Sequence, residues 1–206
     1  MKITKFVHSC LLIEEDRKKI LIDPGNYSEE VLDLSVLSDL SYLLISHEHP
    51  DHMYLPLIKK ILEKFPEVKI VSNQSAAGIL GKEGITVGTN GDGFIQMEEV
   101  PHEKVFGSTP PQNVLFRING KLTHPGDSFQ FTSTTEILTL PLQAPWGSTT
   151  EAVELAERLN PKVIIPIHDW HWNDIARENM YKRLEEYFAA LSIRFIGLED
   201  GATVEV

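Results

Sequence analysis

The chain has a single cysteine, Cys10, among 206 residues, so it can build neither a disulfide framework nor a cysteine-based zinc site. It has no apolar run near the roughly 20 residues that cross a bilayer. Glu14, Glu15, Asp16 and Arg17 interrupt the N-terminal stretch where a signal peptide would stay apolar. Positive charge is scarce: 19 Lys plus Arg stand against 30 Asp plus Glu, a formal charge of −11. That balance argues against nucleic acid or an anionic membrane as partner. No G-x-S-x-G nucleophile motif is present. With 42% hydrophobic and 24% charged residues, the chain reads as one globular domain over residues 1–206, expected in the cytoplasm.

Periodicity supplies the elements. Lys2 to Val7, Cys10 to Glu14 and Lys19 to Ile22 read as short strands, the last two parted by a charged turn at Asp16–Lys18. Tyr42 to Ser46 is a further β-like run. From Tyr54 the spacing becomes helical, with Leu57, Ile58, Ile61 and Leu62 repeating up to Pro66. Val68 to Val71 predicts a strand, and Gln74 to Leu80 a short helix closed by Gly81. Gly84 to Thr135 is rich in Gly, Pro, Asn and Thr between short β-like runs. Within it, Asn119–Gly120 marks a hairpin joining Val114–Ile118 to Lys121–Thr123.

Ile137 to Leu140 is the next predicted strand. Ser148 and Glu151 form a capping-box pattern at the head of a helix reaching Leu159. Val163 to Ile167 predicts a strand ending at His168, and Asn173 to Leu191 the longest helix. Short strands finish the chain around Arg194–Ile196 and Thr203–Val206. Strands clustered in each half, with helices after them, predict sheets covered by helices.

Eight histidines stand out, three of them within six residues. His47-Glu48-His49-Pro50-Asp51-His52 reads H-x-H-x-D-H between a predicted strand and a predicted helix. Imidazole nitrogens and carboxylate oxygens are the ligands preferred by Zn, Mn and Fe, and a tight turn can aim several at adjacent ions. If strand geometry persists past Ser46, His47 and His49 point the same way. Asp51 and His52 lie beyond a proline bend and can serve a second ion. A solvated histidine-rich loop is the competing reading of the residues alone.

The pattern resembles the metallo-β-lactamase superfamily. His8-Ser9-Cys10 and Leu21-Ile22-Asp23-Pro24 are similar to the branch that holds the ascorbate-6-phosphate lactonases and other metal-dependent hydrolases. In order, the superfamily has the histidine loop, a later histidine, a Gly-Asp and a final histidine after a strand. His102 in Val-Pro-His-Glu, Gly126-Asp127 in His-Pro-Gly-Asp-Ser, and His168 closing Val-Ile-Ile-Pro-Ile-His match those positions. The resemblance implies an αβ/βα four-layer sandwich with metals at one edge. It implies one ion on His47, His49 and His102, a second on Asp51, His52 and His168, and Asp127 bridging both. Val7 and Ser128 depart from the branch, where glycine and threonine are common. Neither is a ligand position.

Further roles follow less directly. The resemblance places His8 near the metals, in contact with substrate or in packing. Asp23 orients a ligand imidazole or serves a structural turn. His124 supports the ligands or the fold. Trp170, His171 and Trp172 line a pocket or, preferably, an aromatic core or interface. Cys10 is a small buried residue and not a nucleophile.

Two divalent ions, Zn or Mn with Fe or Ni also accommodated, bring a bridging water towards neutral pKa and polarise an ester-type bond. The expected function is therefore hydrolysis of a lactone or phosphodiester in a small, anionic molecule. Asp51 is the expected catalytic residue beside its ligand role, with His8 next. An oxygen-reducing diiron protein of this fold has glutamate where His49 stands. A nucleic-acid-processing relative carries an inserted domain. A non-catalytic metal-binding protein or scaffold would be expected to lose ligands, whereas all seven positions are filled here. Oligomeric state is left open, a homo-oligomer included.

Overall fold

Strand residues alternate between two faces, and in this chain both faces are apolar. β2 (Leu11–Glu15) sends Leu11 and Ile13 one way and Leu12 the other. β3 (Lys18–Ile22) divides Ile20 and Ile22 from Leu21, and β4 (Leu40–Ile45) divides Tyr42 and Leu44 from Leu43 and Ile45. Strands buried on both sides need a layer on each side. The computed structural model describes the backbone of residues 1–206 and every side chain except that of Val36.

The three strands join β1 (Lys2–Lys5), β5 (Lys69–Ser72) and β12 (Thr203–Glu205) in one sheet of order β12-β1-β2-β3-β4-β5. A second sheet contains β6 (Ile95–Glu99), β7 (Val114–Ile118), β8 (Leu122–His124), β9 (Ile137–Pro141), β10 (Val163–Ile167) and β11 (Arg194–Phe195). Its order is β11-β10-β9-β8-β7-β6. Between the sheets, Ile13, Ile22 and Leu44 pack with Phe116, Ile118, Ile165 and Ile167. Outside the first sheet, Leu21, Leu43 and Ile70 meet Leu57, Ile58 and Ile61 of α1 (Leu55–Lys64) and Leu80 of α2 (Gln74–Lys82). Outside the second, Leu138, Leu140 and Ile164 meet Leu155 of α3 (Thr149–Leu159) and Phe188 of α4 (Asp174–Ala190). The result is the four-layer αβ/βα sandwich.

Strand direction places the site. β1 and β3 both run antiparallel to β2, and β4 runs parallel to β3. In the other sheet β6 and β8 both oppose β7, while β9 and β10 run with β8. The segments leaving β1, β3 and β4 therefore share one sheet edge, and those leaving β6, β8, β9 and β10 share another. The two edges meet. The His168 N–H, just past β10, donates to the His8 carbonyl, just past β1, at 3.2 Å, and the Val114 N–H donates to the Ser46 carbonyl at 3.1 Å.

Most predicted elements form within a residue or two. Asn119 (φ 49°) and Gly120 (φ 62°) make the two-residue hairpin, and Ser148 and Glu151 close the capping box. Gly81 does not end α2: the helix continues to Lys82 and the chain turns at Gly84. β6 lies in the Gly- and Pro-rich middle, where composition masks its alternation. Among the described residues, no helix is long and apolar enough to cross a membrane.

Candidate metal centre

β4 stops at Ile45, so the histidine loop is not an extension of its pleat. His47 and His49 converge through a turn instead, in which the N–H groups of His52 and Met53 both donate to the His49 carbonyl at 2.9 and 2.8 Å. The loop rests on the segment leaving β3. Asn26 N–H donates to the Pro50 carbonyl at 2.8 Å, and Tyr54 N–H to the Pro24 carbonyl at 3.2 Å. Between these bonds lies Gly25, where a Cβ would stand 1.8 Å from the Asp51 carbonyl oxygen. Only glycine permits that approach. Gly25→Ala is expected to cost about 1–3 kcal/mol or more, read as a lowered thermal midpoint, and to reduce metal uptake by the fraction that still folds.

Asp23 pins the same loop from beneath. Its Oδ1 accepts the Ser46 N–H at 2.7 Å. Its Oδ2 accepts the Ser46 hydroxyl at 2.7 Å, His52 Nδ1 at 2.8 Å and His124 Nε2 at 3.0 Å. Burial opposes charge on Asp23, yet His52 and His124 hold its carboxyl far below the usual range. Asp23 therefore fixes the tautomer of His52, whose Nε2 faces the cluster. His124 stands behind Asp23, its Nδ1 meeting the Thr139 hydroxyl at 2.9 Å.

Two groups of potential ligands result. His47, His49, His102 and Asp127 offer atoms within 4.8 Å of one another, as do His8, Asp51, His52 and His168. Asp127 touches both groups: its Oδ2 lies 3.5 Å from His102 Nε2, 3.7 Å from His47 Nε2 and 3.2 Å from His168 Nε2, and its Oδ1 lies 3.2 Å from His52 Nε2. Asp127 follows Gly126 at φ 58°, where a Cβ would meet Asn113 Oδ1 at 2.2 Å. All seven residues expected as ligands thus come together, from four separate segments, with buried His8 added from a fifth.

The donor chemistry fits cations. His102 Nδ1 donates to the Glu103 carbonyl at 2.6 Å and His168 Nδ1 to the Gln143 carbonyl at 2.8 Å, so each ring turns Nε2 inward as a lone pair. Among the described residues, His52 Nε2, His102 Nε2, His168 Nε2 and Asp127 Oδ1 are buried with no hydrogen-bond partner. Four orphaned atoms in one place are costly unless something positive completes them. Divalent ions meet that need with the N and O ligands they prefer.

Charge is shared unevenly. Burial lowers His47 well below the ordinary imidazole range, aided by His52, and burial with His102 also lowers His49. Burial opposes charge on His52 and His168, but Asp127 leads the carboxylates that raise both. Against burial, Asp127 is held well below the carboxylate range by His168, His52 and His47, and Asp51 is lowered chiefly by His52 and His8. His8 donates from Nε2 to Asp51 Oδ2 at 3.1 Å, and burial with His168 brings its pKa down to about 4.

The opening is small. Asp51 keeps 25% of its side chain exposed and His49 is half-buried, whereas His47, His52, His102, Asp127 and His168 are closed from solvent. Aromatic rings border it. Tyr27 lies 5.3 Å from the His8 ring and stacks on Trp170 at 4.0 Å, and Trp146 lies 5.1 Å from His168 and 6.0 Å from His102. Of the residues after His168, Trp172 is partly buried and packs against the cluster that holds Leu184 and Phe188 of α4. Trp170 and His171 are exposed instead, His171 with its ring 6.4 Å from that of His8 and Trp170 against Tyr27. Tyr27 and Trp146 carried no periodic signal, standing in Gly-Asn-Tyr and Pro-Trp-Gly turns. Cys10 is buried, which pushes its thiol up to about 12 and removes it as a nucleophile.

Paired mixed sheets, helices on both outer faces and a His/Asp cluster at one edge define a metallohydrolase-type sandwich. Residues 2–168 match the β-lactamase superfamily domain. The chain belongs to the metallo-β-lactamase superfamily. It is 29% identical over 200 residues to Protein Rv0786c of Mycobacterium tuberculosis, covering 90% of this chain and 92% of that one. It is 26% identical over 207 residues to a UPF0173 metal-dependent hydrolase of Carboxydothermus hydrogenoformans, covering 86% and 88%. Among solved structures, Igni18, a metallo hydrolase from Ignicoccus hospitalis, superposes with a TM-score of 0.73 at 21% identity over 98% of this chain and 97% of that one.

Proposed function

We propose that this protein is a metal-dependent hydrolase whose centre holds two divalent ions, Zn or Mn by preference. The observation that carries the reading is the convergence of partnerless buried ligand atoms around Asp127. His47, His49 and His102 would hold one ion, Asp51, His52 and His168 the other, and Asp127 both. Its similarity to relatives named as metal-dependent hydrolases supports the same reading.

Two ions held by these residues would activate water at neutral pH and would polarise the bond to be cleaved. The chain's own part is orientation and proton handling. Asp51, partly exposed at the opening, accepts a proton and passes it to the leaving oxygen. His8 donates to Asp51 and, being neutral, leaves that carboxylate charged. The bond is of ester type, in a lactone or phosphodiester of a small molecule. An anionic portion would be met by the metals, and Trp146 and Tyr27 would meet flat or apolar portions.

Metal analysis of protein purified without chelator is expected to give two ions per chain. Chelation should abolish hydrolysis in a screen of lactones and phosphodiesters, and Zn²⁺ or Mn²⁺ should restore it. His102→Ala and His168→Ala should each weaken a different ion. Folded protein that takes up no divalent ion would overturn the reading, and two variants with unchanged metal content would remove both histidines from the ligand set.

A further inference from the structure

A lysine with no solvent exposure lies one layer behind the centre. Lys5, the last residue of β1, donates from Nζ to Asp169 Oδ2 at 2.5 Å and to the Tyr181 hydroxyl at 3.1 Å. Tyr181, on α4, donates to the same Asp169 oxygen. Lys5 and Asp169 are both fully buried. Asp200 is 3.9 Å from Nζ, and Arg177 holds Asp200 from outside at 3.3 Å.

The pair is a poor device for stability. Two buried charges repay their desolvation only when every remaining polar atom is also satisfied. Here Asp169 Oδ1 has no partner among the described residues. Apolar side chains would fill the same space without that penalty. An ion pair fixes direction as well as contact, so its placement becomes informative.

That placement is close to the site on both strands. Asp169 directly follows His168, and Lys5 precedes His8 by three residues. His168 (φ 56°) and His8 (φ 60°) both sit in the left-handed backbone region, which side chains adopt only when their surroundings impose it. They touch each other, N–H to carbonyl at 3.2 Å and ring to ring at 3.9 Å. The loops carrying them leave opposite sheets, and the Lys5–Asp169 pair ties the bases of those loops together.

We propose that the Lys5–Asp169 pair is a positioning device that sets His168, and His8 against it, in register with Asp51 and Asp127. This rests on the reading of those residues as a two-ion centre. Neither Lys5 nor Asp169 touches the reacting atoms; both act through the histidines beside them. Because the pair's function is placement, an apolar replacement should keep the fold and lose the geometry.

The double substitution Lys5→Met/Asp169→Leu tests this, with Co²⁺ as the probe. Thermal midpoint, Co²⁺ stoichiometry, chelator competition and the Co²⁺ absorption spectrum are measured for both proteins. The expected result is an undiminished midpoint with one of the two ions held about 10–100-fold more weakly. That ion should be the one His168→Ala also loosens, and its spectral bands should change while those of the other stay. Two ions held as tightly as in the unaltered protein, with the same spectrum, would overturn the proposal and leave the pair as part of the core. If the double variant does not fold, Tyr181→Phe removes one hydrogen bond from the same carboxylate and keeps the ring. A smaller weakening confined to the same ion then supports the role, and unchanged affinity overturns it. Failure of the unaltered protein to bind Co²⁺ would instead refute the metal-centre reading itself.

Discussion

Turnover in Asp51→Asn is expected to fall by about 10²–10⁴ on any substrate, even with metal in excess. Asparagine keeps the shape and one acceptor oxygen but loses the charge and the basicity. Asp51 Oδ2 lies 3.1 Å from His8 Nε2 and 3.8 Å from both His52 Nε2 and His168 Nε2, and in the proposed scheme this one carboxylate serves as ligand and as proton acceptor. The two roles separate in a titration of turnover against metal concentration. A pure ligand defect recovers fully when the weakened site is refilled. A proton-handling defect persists at saturation. Full recovery would leave Asp51 as a ligand only and make His8 the next group to test.

The second large effect concerns Asp23, which touches no ion in the proposed scheme. Asp23→Ala strips the acceptor from the Ser46 N–H, the Ser46 hydroxyl, His52 and His124 at once. Breaking such a buried charged network costs about 3–5 kcal/mol, seen as a lower denaturation midpoint. In the remaining folded protein the His52-bound ion should weaken about 10–100-fold, because the imidazole loses the partner that fixes its tautomer. Thr139→Val, which removes the far contact of His124 and a 3.3 Å bond to the Thr123 carbonyl, should cost about 1 kcal/mol and spare the metals. The pH dependence has a definite sign. Asp23 is held below the ordinary carboxylate pKa of about 3.9, so its contribution is complete above that pH and fades as pH falls further. An Asp23→Asn variant should therefore lose the same stability throughout neutral pH and approach the unaltered protein only in acid. A difference that grew on acidification would show that another group carries the effect.

Local rules made much of this molecule legible. Short continuous apolar runs marked most strands because a sheet residue here faces either the core or a helix layer. Ser148 and Glu151 marked the start of α3 because a helix N-terminus must satisfy its own N–H groups, and Asn119–Gly120 marked a turn because both residues tolerate positive φ. The ligand set was legible for a chemical reason: few other roles call for His and Asp at the spacing of His47 to His52. His102, Asp127 and His168 were legible only through the resemblance to the superfamily's order of residues; the fold adds that each follows a strand ending at the same edge.

Other features belong to the tertiary structure alone. That His47 and His49 converge through a turn and not through a strand pleat depends on where β4 stops, which the β3-side segment decides by docking Pro24 and Asn26 onto the loop. Gly25 carries no signal in sequence, because the atom it avoids belongs to Asp51, 26 residues away. Trp146 and Tyr27 reach the opening from turns without periodicity. Lys5 reads as an ordinary polar position in a strand, yet it is buried against a carboxylate 164 residues later. Composition and spacing determined the elements and the ligand chemistry, because those depend on near neighbours. Burial, close approach and the pairing of distant charges are set by which sheet edges meet, and only the folded chain decides that.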